Sequence, residues 1–155
     1  RRGTVLNETL ILLRSLINDL EGTSYSDEVL LRLIAVAAIV VNNEVYFSTG
    51  YSINLSTNMI SPDPDQSFSL FIAYKAAILL FQSEIKTYGY TNVKIVDGPS
   101  TVDTSNISKT LGENLSSFLS QYDKLKWEYG RYGSLGYAIL TPTSVQYYSE
   151  NRNFS

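Results

Sequence analysis

The sequence predicts a mainly α fold, with a four-helix bundle-like core, a short β hairpin or loop insertion and an extended C-terminal tail. Three observations support this fold class. Apolar residues recur at helical spacing in four segments, turn-forming residues separate those segments, and apolar and polar residues alternate near the C-terminus. A chain of 155 residues is long enough for one domain with a sizeable hydrophobic core.

The first two helices are apolar segments with recognisable ends. Gly22 is the predicted stop of the first helix, and Ser26 is the predicted N-cap of the second, which should run to about Tyr46. Asp27 and Glu28 then lie in the first turn, where the helix dipole favours negative charge. The apolar face of the first helix is Leu6, Leu10, Leu13, Ile17 and Leu20.

Residues 47–64 predict a short β hairpin or loop. Tyr51, Ile53 and Leu55 alternate with polar residues, and residues 56–58 (Ser-Thr-Asn) can turn the chain. We interpret these three apolar residues as a candidate interaction site at the hairpin.

The third helix is predicted from its start signal and its composition. Asp63 and Pro64 begin it, because proline is tolerated in a first turn and carboxylates suit the N-terminal dipole. It should run to about Tyr88, with Gly89 as its stop. Residues 68–90 are apolar on most of the helix circumference. Such a helix needs neighbours on several sides, either from its own chain or from other copies.

A brief extended link and a fourth helix follow. Val93 and Ile95 belong to the predicted link, which includes a turn and then the cap of the fourth helix. The turn and cap residues are Asp97, Gly98, Pro99 and Asp103. The fourth helix places one apolar face on Ile107, Leu111, Leu115, Phe118, Leu119, Tyr122 and Tyr129.

The chain after residue 129 has a different pattern. Gly130, Gly133 and Gly136 are expected to break the helix, and residues 137–148 alternate like a strand. We therefore divide the chain into a helical core, 1–129, and an extended tail, 130–155. Tyr122 and Tyr129 should close the core, whereas the tail has no partner strand nearby in sequence and should dock on a neighbour. The candidate docking residues are Tyr137, Ile139, Leu140, Val145, Tyr147 and Tyr148.

The amino-acid composition argues against a catalytic function. The chain has no cysteine and no histidine, which excludes thiolate nucleophiles, Cys/His zinc sites and imidazole bases. Asp63 with Asp65, and Asp97 with Asp103, are better interpreted as caps and turns than as a cation site or an acid–base pair. We predict that the protein is not an enzyme and has no catalytic residue, no cofactor and no metal site.

The charges and apolar runs also limit the partners. Charged residues make up 17% of the chain, the net charge is −3, and the basic residues are scattered, so no tight nucleic-acid surface is predicted. The two strongest apolar runs carry Arg32 and Lys75 and fall short of the roughly 20 residues that span a bilayer. We therefore predict no membrane partner.

Three consecutive blocks carry a family resemblance: DPDQSFSLFIAYKAAILLFQSEI, then VKIVDGPSTVDTS, then SKTLGENLSSFLSQYDKLKWEY. This order of a long Ala- and Leu-rich helix, a short DGPS-like link and a helix rich in Leu and Tyr resembles the head-to-tail connector (adaptor, or neck) proteins of tailed bacteriophages. The resemblance covers residues 63–129, a bit under half the chain. It does not cover the tail.

The resemblance implies a virion structural protein located at the head–tail junction, or neck. It implies a homo-oligomeric ring, typically a dodecamer, beneath the portal vertex. The ring would join the portal protein to the other neck or tail proteins, and packaged DNA would pass through it without sequence-specific binding. On this interpretation the hairpin and the tail reach the components above and below.

Two alternatives remain open. A tail-completion or stopper-type neck protein would follow the same physical logic with a different neighbour. A small helical, partner-binding regulatory module of a cell would belong to a different class. The assembly state separates them, because a regulator should be a monomer or dimer and a connector should form large rings.

Overall fold

The computed structural model describes residues 2–95 and 105–138, with side chains described over 7–88 and 109–131. This part of the chain forms helices and one antiparallel hairpin, so the predicted mainly α fold with a short hairpin is confirmed. The elements in chain order are α1 (Arg2–Leu16), α2 (Asp27–Glu44), β1 (Ser52–Asn54), β2 (Met59–Ser61), α3 (Gln66–Ile95) and α4 (Ser105–Ala138).

The chain divides into two compact units, Arg1–Tyr122 and Asp123–Ser155. The hydrophobic core belongs to the first unit. There α3 packs against both α1 and α2, and α1 and α2 also touch each other. The second unit contains the C-terminal half of α4.

The core is built around α3. Between residues 68 and 81, every side chain of this helix is buried or half-buried. The chain's own α1 and α2 supply much of the cover, with fully buried residues such as Leu13, Leu30 and Ile34. The apolar helix that the sequence expected to need neighbours therefore finds them largely within one chain.

α1 ends at Leu16, earlier than predicted, and the chain turns sharply after it. Asn18 and Gly22 both have positive φ, 58° and 69°. Leu20 is 65% exposed, so its predicted place on the apolar face of the first helix is wrong. The reason is local: the carboxylate of Asp19 accepts hydrogen bonds from the backbone N–H groups of residues 23–25, which holds a loop where helical spacing predicted another turn.

A buried ion pair fixes this loop against α1. Nη1 of Arg14 lies 2.8 Å from Oδ2 of Asp19, and its Nη2 donates to the backbone oxygen of Tyr25 and to the carboxylate of Asp27. A Cβ added at Gly22 would come 3.3 Å from Nη1 of Arg14. The positive φ and this close approach together explain why glycine occupies the position.

The N-terminus of α2 and the hairpin follow the sequence prediction. Oγ of Ser26 accepts from the backbone N–H of Val29, as expected for the N-cap, and α2 ends at Glu44, two residues before the predicted end. In the hairpin, Ile53 pairs with Ile60. Its turn is held by Asn54, whose side-chain oxygen accepts from the N–H groups of residues 56 and 57.

α3 begins and ends later than predicted. Asp65 caps it, with its Oδ1 2.7 Å from the backbone nitrogen of Phe68, so Asp63 is not the capping carboxylate. The helix then passes through Gly89 to Ile95. The predicted stop at Gly89 and the predicted extended conformation of residues 93–95 are therefore wrong. Residues 96–104, which contain the DGPS motif, lie outside the described residues.

α4 also extends further than predicted. It continues through Gly130, Gly133 and Gly136 to Ala138, so the predicted helix break at Gly130 is wrong. Glycine inside a helix costs only roughly 1 kcal/mol relative to alanine, which a long helix tolerates. The remainder of the predicted tail, 139–155, lies outside the described residues.

The Asp19 network predicts a specific acid sensitivity. Hydrogen bonds from the backbone N–H groups of Ser24 and Thr23, with the charge of Arg14, lower the pKa of Asp19 below its ordinary value of 3.8. The ionised carboxylate therefore stabilises the fold above that ordinary value, and this stabilisation is lost as the pH falls through the lowered pKa. In Asp19→Asn, the free energy of unfolding should fall less steeply between about pH 5 and pH 2 than in the wild type.

Urea unfolding at a series of pH values measures this difference. Asp63→Asn is the matched control, because Asp63 is exposed and should keep the wild-type pH dependence. An Asp19→Asn profile parallel to the wild type would contradict the assignment.

Candidate interaction surfaces

The structure separates the three predicted hairpin residues. Tyr51 is buried and stacks on Phe68, with ring centroids 3.9 Å apart, and its hydroxyl accepts from the backbone N–H of Asp65. Tyr51 therefore joins the hairpin to α3 and is not an exposed contact. Ile53 is half-buried, whereas Leu55 is 54% exposed and remains on the surface.

Most of the predicted docking tail is outside the described residues. Tyr137 lies near the C-terminal end of α4. The other predicted docking residues, Ile139, Leu140, Val145, Tyr147 and Tyr148, lie outside the described part, as do Asp97, Gly98, Pro99 and Asp103. Asp63 is exposed and Pro64 is buried just before α3. The docking role of the tail stays a prediction.

A polar cluster that sequence reasoning missed fastens α4 to the core. The hydroxyl of Tyr122 donates to Oε2 of Glu44 at 2.7 Å, and Nζ of Lys75 lies 2.9 Å from the other carboxylate oxygen. The same ammonium lies 5.1 Å from the centroid of the Tyr122 ring. Tyr122 is 2% exposed, which agrees with its predicted place in the core.

Aromatic contacts complete this attachment. Phe118 stacks on Phe81 with ring centroids 5.4 Å apart, and Tyr122 meets Phe71 edge-on at 5.9 Å. The hydroxyl of Tyr74 donates to the side chain of Gln121 at 3.1 Å. We call Phe118, Gln121 and Tyr122 the α4 anchor. Nothing in the sequence spacing identifies the partners of these residues, because the partners lie on two other helices, α2 and α3.

Two grooves lie on either side of Ile11, which is 60% exposed on α1. One groove, of about 630 Å³, runs between α1 and the loop that leads to α2. We call it the α1–loop groove, and Leu10, Leu20, Glu21, Tyr25 and Asp27 are among its lining residues. The other, of about 420 Å³, lies between α1 and the start of α3 and includes the buried Ser69, whose hydroxyl has no hydrogen-bond partner among the described residues.

A large aromatic side chain is exposed on the second unit. Trp127 of α4 is 64% exposed, and the guanidinium of Arg131 lies 5.3 Å from its ring centroid. Lys126 pairs with Asp123 at 3.1 Å, and Lys124 lies 3.9 Å from Glu128. An exposed tryptophan held against an arginine is typical of protein contact sites, where both residue types are enriched.

The described residues show no cluster of metal-ligating side chains. They contain no group of three or more acidic, His or Cys residues that could hold a metal ion. Burial raises the pKa of Glu84, which is half-buried on α3, but no hydrogen bond joins its carboxyl to another described side chain. Ile11 lines both grooves on α1 together with exposed acidic side chains, Glu21 and Asp27 in one groove and Glu8 in the other.

One described segment, Gln66–Tyr88, is long and apolar enough to cross a membrane by length and composition, with a mean hydropathy of 1.4. However, 56% of its most apolar window is buried inside the protein. Lys75, near the middle of the segment, is paired with Glu44. Burial inside the protein and a lysine paired by a glutamate are both expected of a core helix, which is the place of α3 in the first unit.

Comparison with known proteins identifies no relative. No known protein family matches the chain, and neither a curated protein nor a solved structure matches it.

The α4 anchor yields a stability prediction. Tyr122→Ala should lower the free energy of unfolding by about 4 kcal/mol, because it removes a buried ring and its contact with Phe71. Tyr122→Phe keeps the ring and loses only the hydrogen bond to Glu44, which should cost about 1 kcal/mol.

Urea unfolding followed by circular dichroism measures both losses. Tyr46→Ala is the control, because Tyr46 is 88% exposed and its truncation should change stability by less than about 0.5 kcal/mol. If Tyr122→Ala costs no more than this control, α4 is not anchored as described.

Proposed function

We propose that the protein is a virion structural protein, a head-to-tail connector that forms a ring beneath the portal and joins it to the neck or tail components. The observation that carries this proposal is the sequence of three blocks over residues 63–129. The helices α3 and α4 stand on either side of the DGPS motif, in the order that the resemblance to connector proteins implies.

The described surfaces support a cohesive role. Apolar side chains are exposed on several elements, including Ile11 and Leu20 beside the α1–loop groove, Leu55 on the hairpin and Trp127 on α4. Such surfaces bind other proteins, because covering them removes apolar area from water. Only 17% of the residues are charged, so covering the surface desolvates few ions.

The mechanism follows from repetition. Each copy would contribute weak contacts to the component above and the component below. A ring makes many such contacts at once, and the effective concentration of each further contact strengthens the whole joint. The net charge of −3 per chain gives DNA no attraction to the ring, so a genome would slide through it without being held.

Electron microscopy of the purified chain, alone and mixed with the portal protein of its own virus, tests the proposal. We expect rings of this protein seated on the portal. A variant that ends at Ala138 should keep the described helices, as circular dichroism would show, and should lose portal attachment if residues 139–155 are the docking segment.

The outcomes separate the candidate functions. A chain that stays monomeric or dimeric and never binds portal would contradict the connector proposal and favour a regulatory module. Rings that bind another neck component and not the portal would favour a tail-completion or stopper role. Retained portal attachment in the variant ending at Ala138 would place the docking contacts elsewhere in the chain.

A further inference from the structure

We propose that Trp127 and Arg131 of one copy bind in the α1–loop groove of the next copy, and that this contact links the subunits side by side. The inference rests on the proposed function in taking the partner to be another copy of this chain. The two surfaces themselves are described independently of it.

Exposed apolar side chains and exposed carboxylates both line the α1–loop groove. Ile11 and Leu20 are both more than half exposed, so they offer apolar area that water now covers. Glu21 lines the groove and forms no ion pair with a described residue, and the carboxylate of Asp27 is 69% exposed. The positive charge of Arg14 in the groove wall is already engaged by Asp19 and Asp27.

The walls of this groove are held in place before any partner arrives. The buried carboxylate of Asp19 gathers the backbone N–H groups of residues 23–25, and Arg14 ties the same loop to α1. A preformed groove loses little conformational entropy when it is occupied. Its volume, about 630 Å³, lies within the range of pockets that take large side chains or small ligands.

Trp127 and Arg131 form the complementary surface. The indole is mostly exposed, and the guanidinium packed against it limits the freedom of both side chains. Over residues 123–131, three basic residues (Lys124, Lys126, Arg131) stand against two acidic ones (Asp123, Glu128), a local charge of +1 in a chain of net charge −3. In the proposed contact, the exposed indole of Trp127 covers apolar side chains of the groove. The guanidinium of Arg131 faces the carboxylates of Glu21 and Asp27.

A second copy is the occupant that these observations favour. Each chain carries both halves, one on α1 with its loop and the other on α4. A contact between two different surfaces is heterologous, so it leaves a free groove and a free tryptophan at the ends of every small assembly. Such contacts generate a ring where the rotation between copies closes and an open filament where it does not, and the proposed function requires the ring.

Sedimentation measurements of self-association over a range of protein concentrations test the contact. Trp127→Ala should weaken association at least about 30-fold, as expected for an aromatic residue at the centre of an interface. The control is Tyr46→Ala, which removes another exposed aromatic ring outside both surfaces and should leave association unchanged. Equal association of Trp127→Ala and wild type would overturn the proposal.

Charge reversal adds a test that distinguishes a lost contact from a folding defect, because a misfolded variant would not recover when the partner charge is also reversed. Arg131→Glu and Glu21→Arg should each weaken association at least about tenfold, because each places like charges together. The protein carrying both changes restores the pair in the opposite sense, and its association should return to within about threefold of wild type. A double variant as weak as the weaker single variant would overturn the pairing of these two residues.

Disulfide trapping shows whether the contact joins two chains. The protein has no cysteine, so a disulfide between introduced cysteines reports only the chosen pair. Asn7 also lines the α1–loop groove, and Lys124 lies one helical turn before Trp127 on α4. Mixed Asn7→Cys and Lys124→Cys proteins should form a heterodimer under mild oxidation, whereas Tyr46→Cys mixed with Lys124→Cys should not. A heterodimer yield equal to that control would overturn the contact, as would a wild-type chain that is monomeric at every soluble concentration.

These outcomes are distinct from those for the connector role. Rings that persist on the portal in Trp127→Ala and Arg131→Glu would overturn this contact and leave the proposed function standing. Assemblies that form through this contact but never bind a portal would contradict the proposed function and leave this contact standing.

Discussion

The fold depends on covering α3, because residues 68–81 of this helix are apolar on nearly every side. α1 and α2 pack against it, and Phe47 and Tyr51 from the hairpin segment cover the ring of Phe68. The α4 anchor adds the last aromatic contacts. Lys75, the charge in the middle of α3, is accommodated because Glu44 and the Tyr122 ring receive its ammonium at the edge of the core.

This arrangement decides which surfaces remain for partners. Since the chain uses its own elements to cover α3, the exposed large apolar side chains of the described residues lie on the other elements: on α1 and the loop after it, on α2 and the segment after it, on the hairpin and on α4. A protein that buries its most apolar helix alone can fold before it assembles. Its peripheral surfaces then remain available to other copies or other components, an order of events that the proposed connector role would use.

The elements that were predictable from sequence are those with local causes. Ser26 caps α2 and residues 56–58 turn the hairpin, because the deciding hydrogen bonds join residues close in sequence. The predicted helix ends at Gly89 and Gly130 were wrong, because glycine weakens a helix without ending it. Leu20 fits helical spacing, yet the hydrogen bonds of Asp19 determine a loop there. For Tyr51, alternation predicted a face shared with Ile53 and Leu55 but not that Tyr51 alone of the three is buried.

The interaction surfaces were harder to predict than the fold. The α4 anchor joins Tyr122 to Glu44 across 78 positions of sequence, and no spacing rule connects them. Trp127 lies outside the apolar stripe of α4, so periodicity alone did not single it out. Its relation to Arg131, at helical spacing i, i+4, is the signal that could have identified it.

Residue-resolved hydrogen exchange of the native protein at low and high concentration tests the central claim most directly, which is that one chain suffices to bury α3. We expect amides near Ile72 and Ala76 to exchange only through global unfolding, at rates independent of concentration, and added protection at high concentration to be confined to α1, its loop and α4. Loss of α3 protection on dilution would contradict the claim, because the core would then require other copies.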